Sequence, residues 1–158
     1  MSTSTDVVLS GCSAGGQAIY LQADHVAAKM PPTAKFRTLA DSGYFLHLRE
    51  GGIGRGSPWI HQAMNAATNA ACEAAGPDRR QCFFAQVVSS YVRTPVFALQ
   101  SVVDNHQVCP GCSCDNCTDQ ASINAWAHRM EAALASGFLT GPHSAKHGGF
   151  GERDRKSL

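Results

Sequence analysis

The sequence predicts an α/β fold, a three-layer sandwich around a mostly parallel sheet, and three observations lead there. Short apolar runs bounded by turn signals alternate with longer amphipathic runs; one apolar run passes directly into a glycine-flanked serine and then a helix-forming stretch. The chain of 158 residues, 44% hydrophobic and 16% charged, has ordinary composition for one globular domain. Strands are expected over Asp6 to Ser10, Phe36 to Ala40 and Val96 to Val103.

The intervening runs read as helices. The first extends from Ala14 to about Met30, where Pro31-Pro32 ends it because proline lacks the N–H a helix interior needs. Pro58 to Ala75 reads as a second helix and Phe83 to Val92 as a third, shorter one. The last spans Asp119 to Ser136 and carries Ile123, Trp126, Met130 and Leu134 on one face. Thr118 is placed as its N-cap and Gly137 as its stop. That stripe reads as core. Gly51-Gly52-Ile53-Gly54-Arg55-Gly56 reads as a surface loop, since it lacks the lysine-hydroxyl ending and preceding strand of a phosphate cradle. These elements give a partial α/β domain over residues 1–141, with 142–158 expected as a disordered tail.

Gly11-Cys12-Ser13-Ala14-Gly15-Gly16, at the end of the first strand, has the pattern of a nucleophile elbow. Such a turn lifts the serine hydroxyl above the sheet, and small neighbours are needed because strand and helix backbones approach closely. Ser13 is the candidate nucleophile. Ala14 is the candidate oxyanion donor, its backbone N–H lying at the positive end of the following helix. A plain Gly-rich strand-to-helix turn would have similar composition. In a complete α/β-hydrolase several strands and a second oxyanion donor precede the nucleophile, and twelve residues cannot hold them, so the chain is expected to be the C-terminal part of a larger hydrolase.

A net charge of +1 gives no electrostatic case for nucleic acid. No apolar run reaches the ~20 residues of a membrane span, so no membrane insertion is expected. Met1-Ser2-Thr3-Ser4-Thr5 lacks the charged and apolar regions of a signal peptide. Seven cysteines are many for a reducing compartment. Cys72 and Cys82 flank a Gly76-Pro77-Asp78 turn that suits a loop-closing disulfide. Cys109, Cys112, Cys114 and Cys117 cluster after the third strand. Four thiols can hold zinc, but here the two C-x-x-C pairs are separated by Ser113 alone; local disulfides, or disulfides to other cysteines, fit better, and neither metal nor cofactor is expected. Asn116-Cys117-Thr118 is a glycosylation sequon with equal standing as a chance match.

Four ordered segments resemble the pectin acetylesterase and Notum family of serine carboxylesterases. Leu9-Ser10-Gly11-Cys12-Ser13-Ala14-Gly15-Gly16 matches that family's L-S-G-C-S-A-G-G, and Asp41-Ser42-Gly43-Tyr44-Phe45-Leu46 its D-[AS]-G-[FY]-F-L. Cys82-Phe83-Phe84-Ala85-Gln86 is similar to C-F-F-P-Q, with Cys72 as the upstream disulfide partner; Thr94-Pro95-Val96-Phe97 through Asp104 and Gln107 is similar to T-P-[LV]-F-x-x-x-x-x-x-D-x-x-Q. The resemblance implies a secreted or cell-wall enzyme that removes acetyl groups from polysaccharide, with other acyl esters as alternatives. It makes Ser13 the nucleophile and Asp104 the residue that orients the catalytic histidine. Asp41 would be structural or line the pocket, and His106 stands too close to Asp104 in sequence to be its partner.

The histidine departs from the pattern. Gly148-Gly149-Phe150 fits the start of the family's G-x-F-x-x-x-C-x-x-H, but Asp154 replaces the cysteine and Ser157 the histidine. His147 is carried as a stand-in for the third member of the triad, with His143 beside it; both fit tail residues better than they fit a general base. The sequence therefore allows either an esterase or an inactive remnant of one.

Overall fold

A computed structural model describes residues 4–47, 59–76, 78–104, 106–108 and 119–152. The glycine-rich loop at 51–56, the Cys109–Cys117 cluster with its sequon, and Asp154 and Ser157 lie outside the described residues.

Four parallel strands form one sheet in the order β1-β2-β3-β4: β1 Asp6–Cys12, β2 Lys35–Asp41, β3 Val96–Ser101 and β4 Gly148–Glu152. Helix α1, Ala14–Ala27, crosses from β1 to β2, as parallel pairing requires. Side-chain alternation then divides the sheet. Val7, Leu9 and Gly11 share a face with the buried Thr38, Ala40, Val96, Ala98 and Gln100, while Val8 and Phe97 on the other face stay exposed. Over the buried face, Tyr20 of α1, Tyr44 and Phe138 make edge-on ring contacts at 5.7–6.4 Å. Burial raises the Tyr20 hydroxyl well above its usual range and the Tyr44 hydroxyl to about 12, as expected of core phenols. Tyr44 donates to the Ala133 carbonyl at 3.1 Å.

Over its described part, 142–152, the expected tail is ordered, and residues 153–158 lie outside the described residues. Residues 143–152 fold, with a 3-10 turn at Ser144–Lys146 leading into a strand that pairs with β3. Gly-Gly-Phe-Gly carries little strand propensity. The glycines are nevertheless useful there, because a Cβ on Gly148 would lie 3.0 Å from the Phe97 ring.

The expected helix over Pro58 to Ala75 is broken. A helical turn covers 59–63, and α2 is Ala70–Ala75. Asn69 starts α2 by accepting from the Ala71 and Cys72 amides at 3.0 and 3.2 Å, while Glu73 accepts from the Thr68 amide and hydroxyl at 3.0 and 2.8 Å. Short polar side chains thus draw the backbone into caps where a helix would have continued. The third expected helix is likewise split into a 3-10 turn Arg79–Phe83, a short α3 at Ala85–Val88 and a second 3-10 turn Ser89–Tyr91.

The last helix, α4, is Gln120–Ala133. Its N-cap is Asp119, whose two oxygens accept from the Ala121 and Ser122 amides; Thr118, the expected cap, lies outside the described residues. Gly137 does not stop the helix. The chain continues through a wide turn, Leu134–Leu139, in which Gly137 permits close packing: a Cβ there would meet the Gln86 carbonyl at 3.0 Å and the Tyr44 hydroxyl at 3.1 Å. Cys72 and Cys82, both fully buried, form the expected disulfide.

Candidate active site

Ser13 is the single residue between β1 and α1, with φ 55° and ψ −121°. A side-chain-bearing residue in that region costs about 1–3 kcal/mol and persists only when its surroundings hold it. Here they do. The Ser13 amide donates to the Asp41 carbonyl at 2.9 Å, and the Ser13 carbonyl accepts from the Gln17 amide at 2.9 Å as the first bond of α1. A Cβ on Gly11 would lie 2.4 Å from the Gly15 carbonyl oxygen, and one on Gly16 the same distance from the Asp41 carbonyl oxygen. These approaches explain the glycines on both sides of the serine. Ser13 and Ala14 are exposed, so the hydroxyl and the first free N–H of the helix face solvent together. Cys12, just before the serine, is an exposed free thiol.

Asp104 follows β3 at the same C-terminal edge of the parallel sheet that carries Ser13 after β1. Its Oδ1 accepts from the His106 amide at 2.9 Å and its Oδ2 from Gln107 Nε2 at 2.6 Å. Gln107 is buried and links this carboxylate to the segment leaving β2, accepting from the Leu46 amide at 3.0 Å. Gln100 takes the Tyr44 amide and Gln86 the His47 amide in the same way, at 2.9 and 3.0 Å. Three glutamine side chains thus satisfy backbone groups of a segment that has left the sheet without forming another element. The sequence motif contained Gln107 but gave it no role; its spacing three residues after Asp104 was the available signal.

Asp41 stays at the elbow as a structural residue. Its carbonyl holds Ser13, and its Oδ1 accepts from the Ser42 hydroxyl at 2.9 Å.

The structure does not bring His147 to this edge, which corrects its candidacy for the triad. Gly148 is level with Phe97, Leu39 and Ser10 in the ladder, so His147 is four residues short of Ser13 along the strands and three strands away. At ~3.3 Å per residue and ~4.8 Å per strand, the separation is roughly 19 Å. His147 instead stacks on Phe138 at 4.8 Å, and its Nδ1 accepts from the Val96 amide at 3.3 Å. His143 starts the same turn. Among the described residues, which include all seven histidines, no imidazole is hydrogen-bonded to the Ser13 hydroxyl or the Asp104 carboxylate.

Burial lowers the pKa of His147 and so favours its neutral form. Asp24 lies nearby on α1. Burial alone would raise its pKa, but hydrogen bonds from Thr94, Asn69 and the Arg93 amide bring it below the usual range. Both groups bind protons less readily folded than unfolded. Stability is therefore fully present above the normal histidine range, falls as pH drops through it, and falls again through the carboxylate range. Melting temperatures measured across pH should show both losses, and His147→Gln should remove the upper one; a flat profile between pH 7 and 5 would contradict this.

Residues 1–135 match the family model for pectinacetylesterase. The chain belongs to the pectinacetylesterase family. Pectin acetylesterase 11 of Arabidopsis thaliana is 32% identical over 115 residues, covering 68% of this chain and 29% of the relative; pectin acetylesterase 7 of the same plant is 31% identical over the same span. The chain therefore spans less than a third of the length of the curated relatives it matches. Among solved structures, the Wnt deacylase Notum from Drosophila superposes with a TM-score of 0.73 over 92% of this chain and 43% of its own, at 17% identity. That likeness shows the fold, an α/β arrangement around a parallel sheet. No helix among the described residues is long and apolar enough to cross a membrane.

Proposed function

We propose that this chain carries the nucleophile and acid of a serine carboxylesterase that removes acetyl groups from polysaccharide. The observation that carries the reading is Ser13, exposed and held at positive φ between a parallel strand and a helix N-terminus. Its Oγ attacks the acetyl carbonyl, the Ala14 N–H receives the developing oxyanion, and the Ser13 proton passes to an imidazole. The sugar alcohol leaves with a proton, and water then returns acetate and free serine. Asp104, with both oxygens already positioned, orients that imidazole. The names of the plant relatives support pectin as the acetylated substrate, and the Cys72–Cys82 disulfide supports an extracellular setting.

A second reading, a non-catalytic member of the family, is favoured by one observation: the family's histidine position is Ser157, and no described imidazole is bonded to the pair. One experiment separates the two. The chain is incubated with p-nitrophenyl acetate with and without added imidazole, and acetylated peptides are mapped by mass spectrometry. An imidazole-dependent acetyl group on Ser13, absent in Ser13→Ala, is expected. Acetyl scattered over lysines with Ser13 unmodified would leave the non-catalytic reading.

A further inference from the structure

The helical turn at 59–63 and the 3-10 turn Arg79–Phe83 line a cavity of about 330 Å³ that the esterase reading leaves unused. His61, Gln62, Asn65, Arg79 and Arg80 line it. His61 is nine-tenths buried, its ring stands edge-on to Phe83 at 6.2 Å, and its Nε2 has no hydrogen-bond partner. Trp59 lies three residues before Gln62, on the same side of the turn, with 68% of its surface exposed.

The pocket is connected to the elbow. The Phe83 carbonyl accepts from Gln17 Nε2 at 2.9 Å, and Gln17 is the residue whose amide closes on the Ser13 carbonyl. His61, Phe83, Gln17 and Ser13 form one run of contacts from the cavity wall to the elbow.

We propose that Trp59 and this cavity form a saccharide subsite selective for sugars bearing carboxylates. Sugar rings present an apolar C–H face and a rim of hydroxyls. An exposed indole suits the face, and the amides of Gln62 and Asn65 suit the rim, with the buried His61 ring as the cavity wall. The arginines select for charge. Arg79 is already bonded to Glu73, and Arg80 donates to both oxygens of Asp78 at 2.9 and 3.0 Å. Each guanidinium has five donors, so these pairs leave N–H groups free while fixing the planes that present them. Because Glu73 and Asp78 offset the two charges, affinity comes mainly from stacking and hydrogen bonding, and the carboxylate provides discrimination. The proposal rests on the esterase reading only in taking a uronate polymer as the sugar to test.

Short unesterified galacturonate oligomers are titrated into the Ser13→Ala chain while tryptophan emission is followed. Trp126, the other tryptophan, is buried, so the signal reports Trp59. Saturable change is expected. By calorimetry, Trp59→Ala and Arg80→Gln should each weaken binding about tenfold, and neutral malto-oligosaccharides of equal length should bind about tenfold more weakly than the acidic oligomers. Both side chains are exposed, and circular dichroism melts check that the variants fold. No saturable binding, unchanged affinity in both variants, or equal binding of the neutral oligomers would each overturn the proposal. Acyl transfer plays no part in this assay, so its failure is distinct from failure of Ser13 acetylation.

Discussion

Steady-state hydrolysis of an activated acetyl ester by residues 1–158 should fall on the order of 10⁴–10⁶-fold below that of an esterase with a complete triad. The loss comes from both halves of the reaction. Without an aligned imidazole the Ser13 proton has no acceptor during attack, and no base activates water on the acyl-enzyme. His25 and His147 lie toward the other end of the sheet, and His128 is on α4 beside Glu131 at 3.4 Å. His143 adjoins His147, and His61 is packed against Phe83. His47 stacks on Phe84 at 4.3 Å, and His106 is exposed two residues past Asp104. Added imidazole should therefore raise Ser13-dependent turnover, with Ser13→Ala insensitive to it. Turnover at an ordinary esterase rate without imidazole would overturn the expectation. It would direct attention to His47 or His106, the two histidines on segments leaving the C-terminal ends of β2 and β3.

The legible parts of this fold were those where local chemistry and tertiary structure agree. β1, the elbow and α1 were readable because an apolar run, a glycine pair and a helical run follow one another, and each is used as its composition suggests. Asp104 stands out through the family pattern that Thr94 to Gln107 resembles, and its position follows from the end of β3. Two kinds of feature were not legible. β4 is rich in glycine, so neither alternation nor propensity marks it; Gly148 is suited to its place beside the Phe97 ring, a contact far away in sequence. The break at Thr68-Asn69 was hidden because alanines on both sides continue a helical pattern, while the capping bonds that interrupt it depend on Glu73 and Asn69 being used locally. The place of His147 depends on the sheet for a related reason. Nearness in sequence to the family's histidine segment suggested nearness in space, but residues at the start of a parallel strand lie at the wrong end of it.

Gly43→Ala should destabilise the protein by about 3 kcal/mol, whereas Gly15→Ala, in the same region, should be neutral or stabilise it by up to about 1 kcal/mol. A Cβ on Gly43 would lie 2.2 Å from the Gly16 carbonyl carbon, 2.4 Å from the Gln17 nitrogen and 2.5 Å from the Gly16 Cα. All three are backbone atoms, so no side chain can rotate away. The segment leaving β2 and the first turn of α1 would have to separate, although the Ser13–Asp41 hydrogen bond ties them together. A Cβ on Gly15 meets nothing within 4 Å and replaces the weakest helix former but proline with the strongest. For a chain of this size, 3 kcal/mol corresponds to a fall of about 6–12 °C in Tm. The same separation would relax the strained Ser13 backbone and turn its hydroxyl from the Ala14 N–H. Any folded Gly43→Ala protein should therefore lose imidazole-dependent acetylation of Ser13, while Gly15→Ala retains it. Urea unfolding of the two variants decides the matter: stabilities within about 0.5 kcal/mol of each other would mean that the contact between β2's exit and α1 does not hold the elbow in place.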